Sequence, residues 1–275
     1  MLHLKAPIKA NLKVAPGHYK MVIFAPEISR ATRAGQFVHI KCSDGLLPLL
    51  RRPFSVHKKD DAEIHILYRI IGEGTRALSK HVPGSSVDLI GPLGNGFQVA
   101  EDCETFLLVA GGMGVASLLA LAEEICSQFN VKRAKNLMVL IGARTKELLL
   151  AVQDFEKLGI PILTATQDGS QGFKGLVTGL FAEVIVSKGL SPSRTQVFAC
   201  GPKLMLKRVA AIAAEHNMRC QVSLEELMAC GVGACLSCVV KVRCEGKNVE
   251  EMGYQYKLIC KDGPVFDVRE VCWDE

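Results

Sequence analysis

Cysteine placement constrains this chain more than any other feature. Seven of its eleven cysteines fall at Cys220 or later. An odd count leaves no closed disulfide framework, and crowding of this kind points to metal or redox chemistry in a reducing compartment. Within the crowd, Cys230-Gly-Val-Gly-Ala-Cys235-Leu-Ser-Cys238 is followed at a distance by Cys260. The spacing is C-x4-C-x2-C…C, the plant-type arrangement for a [2Fe–2S] cluster. A short loop carrying three thiolates has to curl around two irons. Gly231 and Gly233 allow the backbone angles this needs and let amide N–H groups approach the sulfurs. Cys230, Cys235, Cys238 and Cys260 are therefore the expected metal ligands. Cys244, at the end of the strand-like run Val239–Arg243, competes for the fourth place. Cys260 is preferred because the Lys261-Asp262-Gly263-Pro264 turn reverses the chain beside it. The competing readings are buried free thiols or a zinc site, but zinc favours two CxxC hooks and only one C-x2-C is present.

Hydrophobic patterning divides the 275 residues into three segments. Residues 1–101 carry short apolar runs at Tyr19–Phe24, Phe37–Ile40 and Ile64–Ile71. Turn signals at Ala15-Pro16-Gly17, Ser43-Asp44-Gly45, Lys59-Asp60-Asp61 and Val82-Pro83-Gly84 separate them, which predicts an antiparallel β-barrel or sandwich. Residues 102–216 alternate strand and helix. Strands are expected at Phe106–Ala110, Leu137–Ile141, Ile160–Thr166 and Gln196–Cys200. Helices are expected at Val115–Phe129, Leu148–Leu158, Gly175–Lys188 and Lys203–Asn217. This predicts an α/β domain with a parallel sheet covered on both faces. Residues 217–275 form a cysteine-rich module too short for a large core of its own, so a metal centre or a partner has to hold it together.

The net charge of +5 is no nucleic-acid signature. No apolar run reaches the ~18 residues of a membrane span. The start, MLHLKAPIKANLKV, lacks a signal peptide's apolar centre and cleavage site, which places the chain in the cytoplasm.

Two further motifs suit phosphate. Gly111-Gly112-Met113-Gly114 joins a buried strand to a helix, where a pyrophosphate meets a helix N-terminus. Cys200-Gly201-Pro202 sits at a later strand end, the edge where α/β sheets bind ligands. In the first segment, Arg52-Pro53-Phe54-Ser55 precedes Gly72-Glu73-Gly74-Thr75. An arginine pairs with a diphosphate, a phenylalanine covers a flavin or adenine ring, and a serine hydroxyl bonds a flavin edge. Each motif alone is equally an ordinary turn or strand end. The strand Leu137–Ile141 leads into Arg144 and Lys146, with no acidic residue to hold a ribose hydroxyl, so NAD and NADP are not separated by the residues alone.

The order RPFS, GxGT, GGxG, CGP and then the cysteine cluster resembles the ferredoxin–NADP reductase superfamily. Ser223-Leu-Glu225-Glu226, Met228-Ala-Cys230-Gly-Val-Gly-Ala-Cys235 and Cys260-Lys-Asp-Gly-Pro-Val-Phe266 narrow the resemblance to electron-transfer subunits of type B dihydroorotate dehydrogenase. The resemblance spans essentially the whole chain. It implies three domains: an FAD barrel, an NAD-binding domain and a [2Fe–2S] module. The implied partner is an FMN-containing catalytic subunit, in a heterotetramer of two of each, with neither nucleic acid nor membrane involved. Arg52, Pro53, Phe54 and Ser55 match the family's flavin motif. Leu67, Tyr68 and Arg69 match a strand lining the FAD, and Gly74 and Thr75 its phosphate turn. Phe54 replaces a tyrosine common in the wider superfamily, and Val115-Ala116-Ser117 lacks a usual proline. The implied chemistry passes one electron at a time through the cluster and a hydride to or from NAD, with FAD between them. No side chain is expected to act as catalytic acid or base.

Overall fold

A computed structural model describes residues 1–45, 47–128, 136–243 and 253–273. Cys244, the competing ligand, lies outside them.

Six strands close an antiparallel barrel. They are β1 (Leu2–Ala15), β2 (His18–Phe24), β3 (Phe37–Lys41), β4 (Arg52–Lys59), β5 (Glu63–Arg69) and β6 (Ser86–Leu93), in the order β1-β2-β5-β4-β3-β6. Alternation sorts their side chains. Val38, Ile40, Phe54, Val56, Ile64, Ile66 and Tyr68 fill the barrel core. Phe37 and Leu67 face outward and join the two cores of the next domain.

The second sheet has seven strands: β7 (Thr105–Gly111), β8 (Leu137–Ala143), β9 (Ile162–Thr166), β10 (Phe173–Lys174), β11 (Thr195–Cys200), β12 (Arg219–Ser223) and β15 (Val265–Asp267). Their order is β10-β9-β8-β7-β11-β12-β15. All pairs are parallel except the last. Phe106, Leu107, Leu108, Val109 and Ala110 are each 0 % exposed. A strand buried on both faces reads as a continuous apolar run, as it does here. Each large side chain so buried contributes about 1.5–3 kcal/mol. The sequence runs outward from β7 to β8 and β9 on one side and returns to β11 on the other, so the crevice between β7 and β11 is the topological switch point.

Several expectations shift. The sheet does not end at residue 216, because β12 pairs in parallel with β11 and β15 adds an antiparallel edge. The helix expected from Val115 begins instead as a 3-10 turn, Gly112–Ser117, and becomes α-helical only over Leu119–Gln128. The helix expected at Leu148–Leu158 shrinks to Val152–Glu156, since Ala151 takes a positive φ of 59° immediately before it. The remaining pair, β13 (Val239–Arg243) and β14 (Tyr254–Leu258), forms a separate two-stranded sheet.

Polar contacts tie the barrel to the large sheet. Lys20 pairs with Asp154 at 3.1 Å and Lys58 with Glu123 at 2.9 Å. The buried His57 donates from Nδ1 to the Ala116 carbonyl at 3.1 Å. The Gln196 amide accepts from the Ala100 N–H at 2.8 Å and donates to the Gln98 carbonyl at 2.9 Å, fastening the strand that links the domains.

Candidate functional site

The cysteine loop winds as its glycines permit. Gly231 and Gly233 adopt φ values of 72° and 83°, and Leu236 joins them at 59°. The sulfurs collect backbone donors. Cys230 Sγ accepts from the N–H of Val232 and of Cys235, both at 3.4 Å. Cys260 Sγ accepts from Gly233 N–H at 3.1 Å, and Cys238 Sγ from Cys260 N–H at 3.4 Å. Such bonds support an added negative charge on whatever the sulfurs hold. Cys235 is exposed, and its thiol is pulled down to about 6 by Ser237, whose hydroxyl lies 3.2 Å from Sγ. Burial and the neighbouring Cys238 push the Cys260 thiol up to about 12.

The thiols associate in two pairs, Cys230 with Cys235 and Cys238 with Cys260. Among the described residues no three of these sulfurs lie mutually within 4.8 Å; Asp60, Glu63 and His65 are the one group that meets that distance. A tetrahedral zinc site at ~2.3 Å from each sulfur needs tighter convergence. Two pairs, one for each iron, fit a binuclear cluster.

The barrel holds this loop from two sides. His39 on β3 is 0 % exposed and donates from Nδ1 to the Cys230 carbonyl at 3.1 Å. Asn95, just past β6, donates to the carbonyls of Lys261 at 3.3 Å and Asp262 at 3.0 Å. The Lys261–Pro264 turn is closed by Asp262 N–H to Leu258 O at 2.7 Å and by Leu258 N–H to the Asp262 carboxylate at 2.7 Å. Neither His39 nor Asn95 stands in a motif, and nothing local marks them. Only a loop that needs anchoring, 191 residues from His39, gives them a role.

The flavin-type motif is brought together in part. Arg52 and Gly74 touch: a Cβ on Gly74 would stand 3.3 Å from Arg52 Nε. Arg52 also donates to the Leu50 carbonyl at 2.8 Å. Pro53 is paired with His39 and Ser55 with Phe37 across β3 and β4. Phe54 and Tyr68 behave differently from the expected ring cover and lining. Strand alternation turns both into the barrel core, where their rings meet edge-on at 5.7 Å. Tyr68 donates to Asn11 Oδ1 at 2.9 Å, and burial raises its phenol well above the usual range. The Thr75 hydroxyl is also engaged locally. It accepts from the N–H of Ile71 at 2.9 Å and Gly72 at 3.3 Å. Leu67 packs in the cluster that contains Val115, Ala116 and Cys200, and Arg69 is exposed at the end of the same strand.

The two glycine turns meet at the switch point. A Cβ on Gly114 would overlap the Cys200 carbonyl, and one on Gly111 would overlap Met205 and press on Pro202. Gly112 has a φ of 52° with open space beside it. Gly201, at φ 154°, lies within 3.1 Å of Gly111 when given a Cβ. Backbone-to-backbone approach of this kind is what an extended phosphate ligand requires. Burial, together with Glu225, pushes the Cys200 thiol up to about 12, so it is a neutral packing group. A crevice lined by Gly201, Pro202, Glu225, Lys241, Ile259 and Trp273 continues from this turn toward the cysteine module.

A six-stranded barrel joined to a parallel sheet with two glycine turns at its switch point defines the fold of the ferredoxin–NADP reductases. A solved ferredoxin–NADP+ reductase from Neisseria gonorrhoeae shares it at a TM-score of 0.65 and 18 % identity, over 78 % of this chain and 91 % of that one. The structure of an NADH-dependent reduced ferredoxin–NADP oxidoreductase is nearer, with a TM-score of 0.83 and 31 % identity over 98 % of this chain and 90 % of that one. Residues 108–211 match the model of the oxidoreductase NAD-binding domain. Residues 225–272 match the iron–sulfur cluster binding domain of dihydroorotate dehydrogenase B. The electron transfer subunits of dihydroorotate dehydrogenase B (NAD+) from Desulforamulus reducens and Caldanaerobacter subterraneus are 38 % and 39 % identical, each aligned over 98 % of both chains. This chain belongs to the family of those electron transfer subunits.

Proposed function

We propose that the chain carries electrons between a dihydroorotate-oxidising catalytic subunit and NAD+, through a [2Fe–2S] cluster and FAD, in pyrimidine biosynthesis. The observation that carries this reading is the anchoring of a two-by-two thiol loop on the barrel strand that pairs with the Arg52–Ser55 motif. One centre handles single electrons, and the NAD+ end needs a hydride, so a flavin between them supplies the conversion.

The residues then divide the work. Cys230, Cys235, Cys238 and Cys260 hold the irons, with the four N–H···S bonds supporting added negative charge. Arg52 and the Gly74-Thr75 turn bind the FAD diphosphate, while Pro53, Ser55, Leu67 and Arg69 bound its ring system. Phe54 and Tyr68 support that wall from inside the barrel. Gly111, Gly112 and Gly114, with Cys200, Gly201 and Pro202, form the nucleotide cradle. The partner is the FMN-containing catalytic subunit, in an assembly of two copies of each chain. Among the described residues no helix is long and apolar enough to cross a membrane, and a cytoplasmic location suits the free thiols.

A complex reconstituted with a type B catalytic subunit is expected to reduce NAD+ with dihydroorotate. The isolated chain is expected to oxidise NADH with artificial acceptors and leave dihydroorotate untouched. Dihydroorotate turnover by the isolated chain, or none by the complex, overturns the reading. A second reading takes support from the 31 % identity to the NADH-dependent reduced ferredoxin–NADP oxidoreductase. In that reading the electrons are exchanged with a partner other than a dihydroorotate-oxidising subunit, and reduction of NADP+ in place of NAD+ by the complex selects it.

A further inference from the structure

His39 is a histidine that no motif and no family match assigns. It is fully buried on a strand face that it shares with the apolar Phe37 and the half-buried Lys41. Val38 and Ile40 point into the barrel, so alternation directs His39 to the outer side, toward the cysteine loop. There its Nδ1 is 3.1 Å from the Cys230 carbonyl. A carbonyl only accepts, so Nδ1 carries the proton. The tautomer is thereby fixed and Nε2 keeps a bare lone pair, buried and without a partner among the described residues. Leaving such an atom buried and unpaired is unfavourable. A leucine would fill the space without that cost, so the Nδ1–H bond is the feature with something to offset it. The loop is fitted to the ring as well: a Cβ on Gly231 would stand 2.5 Å from Nδ1. On the other side, His39 pairs with Pro53, inside the Arg52–Ser55 motif.

We propose that His39 is the positioning residue between flavin and cluster. Its N–H bond to the Cys230 carbonyl seats the first thiolate against the flavin strand and stabilises the reduced cluster. The second effect follows from sign. Donation to the Cys230 carbonyl draws electron density away from that peptide, next to a thiolate whose charge grows on reduction, and hydrogen bonding around a cluster tunes its potential. The proposal rests on the flavin and cluster assignments above.

The test uses the full chain carrying FAD and its cluster, reduced by NADH in an anaerobic stopped-flow instrument. His39→Leu removes the donor. His39→Asn keeps an N–H near the Nδ1 position. Flavin reduction by NADH is expected to be unchanged in both. Electron transfer onward to the cluster is expected to be about tenfold less favourable in His39→Leu, the upper end for one net hydrogen bond. Tenfold for one electron is about 59 mV, so the cluster midpoint, followed by electron paramagnetic resonance, falls by about that amount. His39→Asn is expected to recover most of the difference. If His39→Leu fails to retain its cluster, His39→Gln, whose amide reaches the Nε2 position instead, replaces it with the same expected loss. Equal midpoints in the wild type and the donor-free variant overturn the proposal, and so does a His39→Asn variant no better than His39→Leu. Failure of NADH to reduce the wild-type flavin overturns the underlying assignments instead.

Discussion

The parallel sheet and the cysteine module share a hydrophobic core but differ in how much of their own structure it covers. The sheet's central strand, β7, is a run of side chains with no exposed surface, covered on both faces. The module's own sheet is the pair β13 and β14, in which Val239 and Tyr256 are 42 % and 62 % exposed. Its loop shows Val232, Leu236 and Cys235 to the surface. Hydrophobic burial stabilises the first region. The second buries Val242, Ile259, Phe266 and Val271 in a core it shares with the sheet, and adds four thiols and borrowed anchors: His39 and Asn95 from the barrel, and β15 paired to β12 from the sheet. The difference predicts that the thiol loop can fail while the sheet stands. A change in the sheet is expected to damage nucleotide binding and overall stability, and a change at the thiols to uncouple the cluster and spare the hydride chemistry.

The largest expected effect is at a ligand. Cys260→Ser should abolish the cluster's paramagnetic signal while NADH oxidation with a two-electron dye stays near the wild-type rate. Loss of both activities together would show that the regions are not separable. Next comes the glycine turn. Gly114→Ala places a Cβ against the Cys200 backbone, which cannot swing aside as a side chain does. Overpacking of this kind costs about 1–3 kcal/mol, so a lower denaturant midpoint and a raised KM for NADH are expected, with the cluster signal intact. Asn95→Ala removes two hydrogen bonds to the Lys261–Pro264 turn, about 1–2 kcal/mol in all. It should speed cluster loss to a chelator without changing KM.

The smallest effect lies at the barrel–sheet joint. The His57 imidazole and the Lys20 ammonium hold the Asp154 carboxyl far below the usual carboxylate range. A depressed folded-state pKa contributes stability that is present above the unfolded value of about 3.9 and is lost as pH falls through the folded value. Thermal stability of the wild type should therefore drop more steeply below about pH 4 than that of Asp154→Asn, and parallel curves would remove the joint from the account.

Much of this was legible in the sequence, for local reasons. The run Phe106–Ala110 reads as a buried strand because both faces are apolar, and the cysteine spacing reads as a cluster loop because ligand geometry is written in sequence distance. The glycine turns were legible as turns, while their contact with each other comes only from the sheet order. β1 escaped notice: of its fourteen residues only Ala6 and Ile8 are fully buried, so its alternation is faint. β12 and β15 were assigned to the cysteine module because they follow the last helix, yet they pair with the large sheet. Phe54 was expected against a flavin by motif position, but the pleat of β4 sends it inward beside Val56. His39 and Asn95 could not be found at all, since their partners lie more than 160 residues away.

The most direct test of the central claim is an anaerobic titration of the purified, cofactor-loaded chain with NADH, followed by absorbance and electron paramagnetic resonance. The account predicts bleaching of the flavin band together with the signal of a reduced [2Fe–2S] cluster. A flavin that stays oxidised, or one that bleaches while the cluster stays silent, would contradict it.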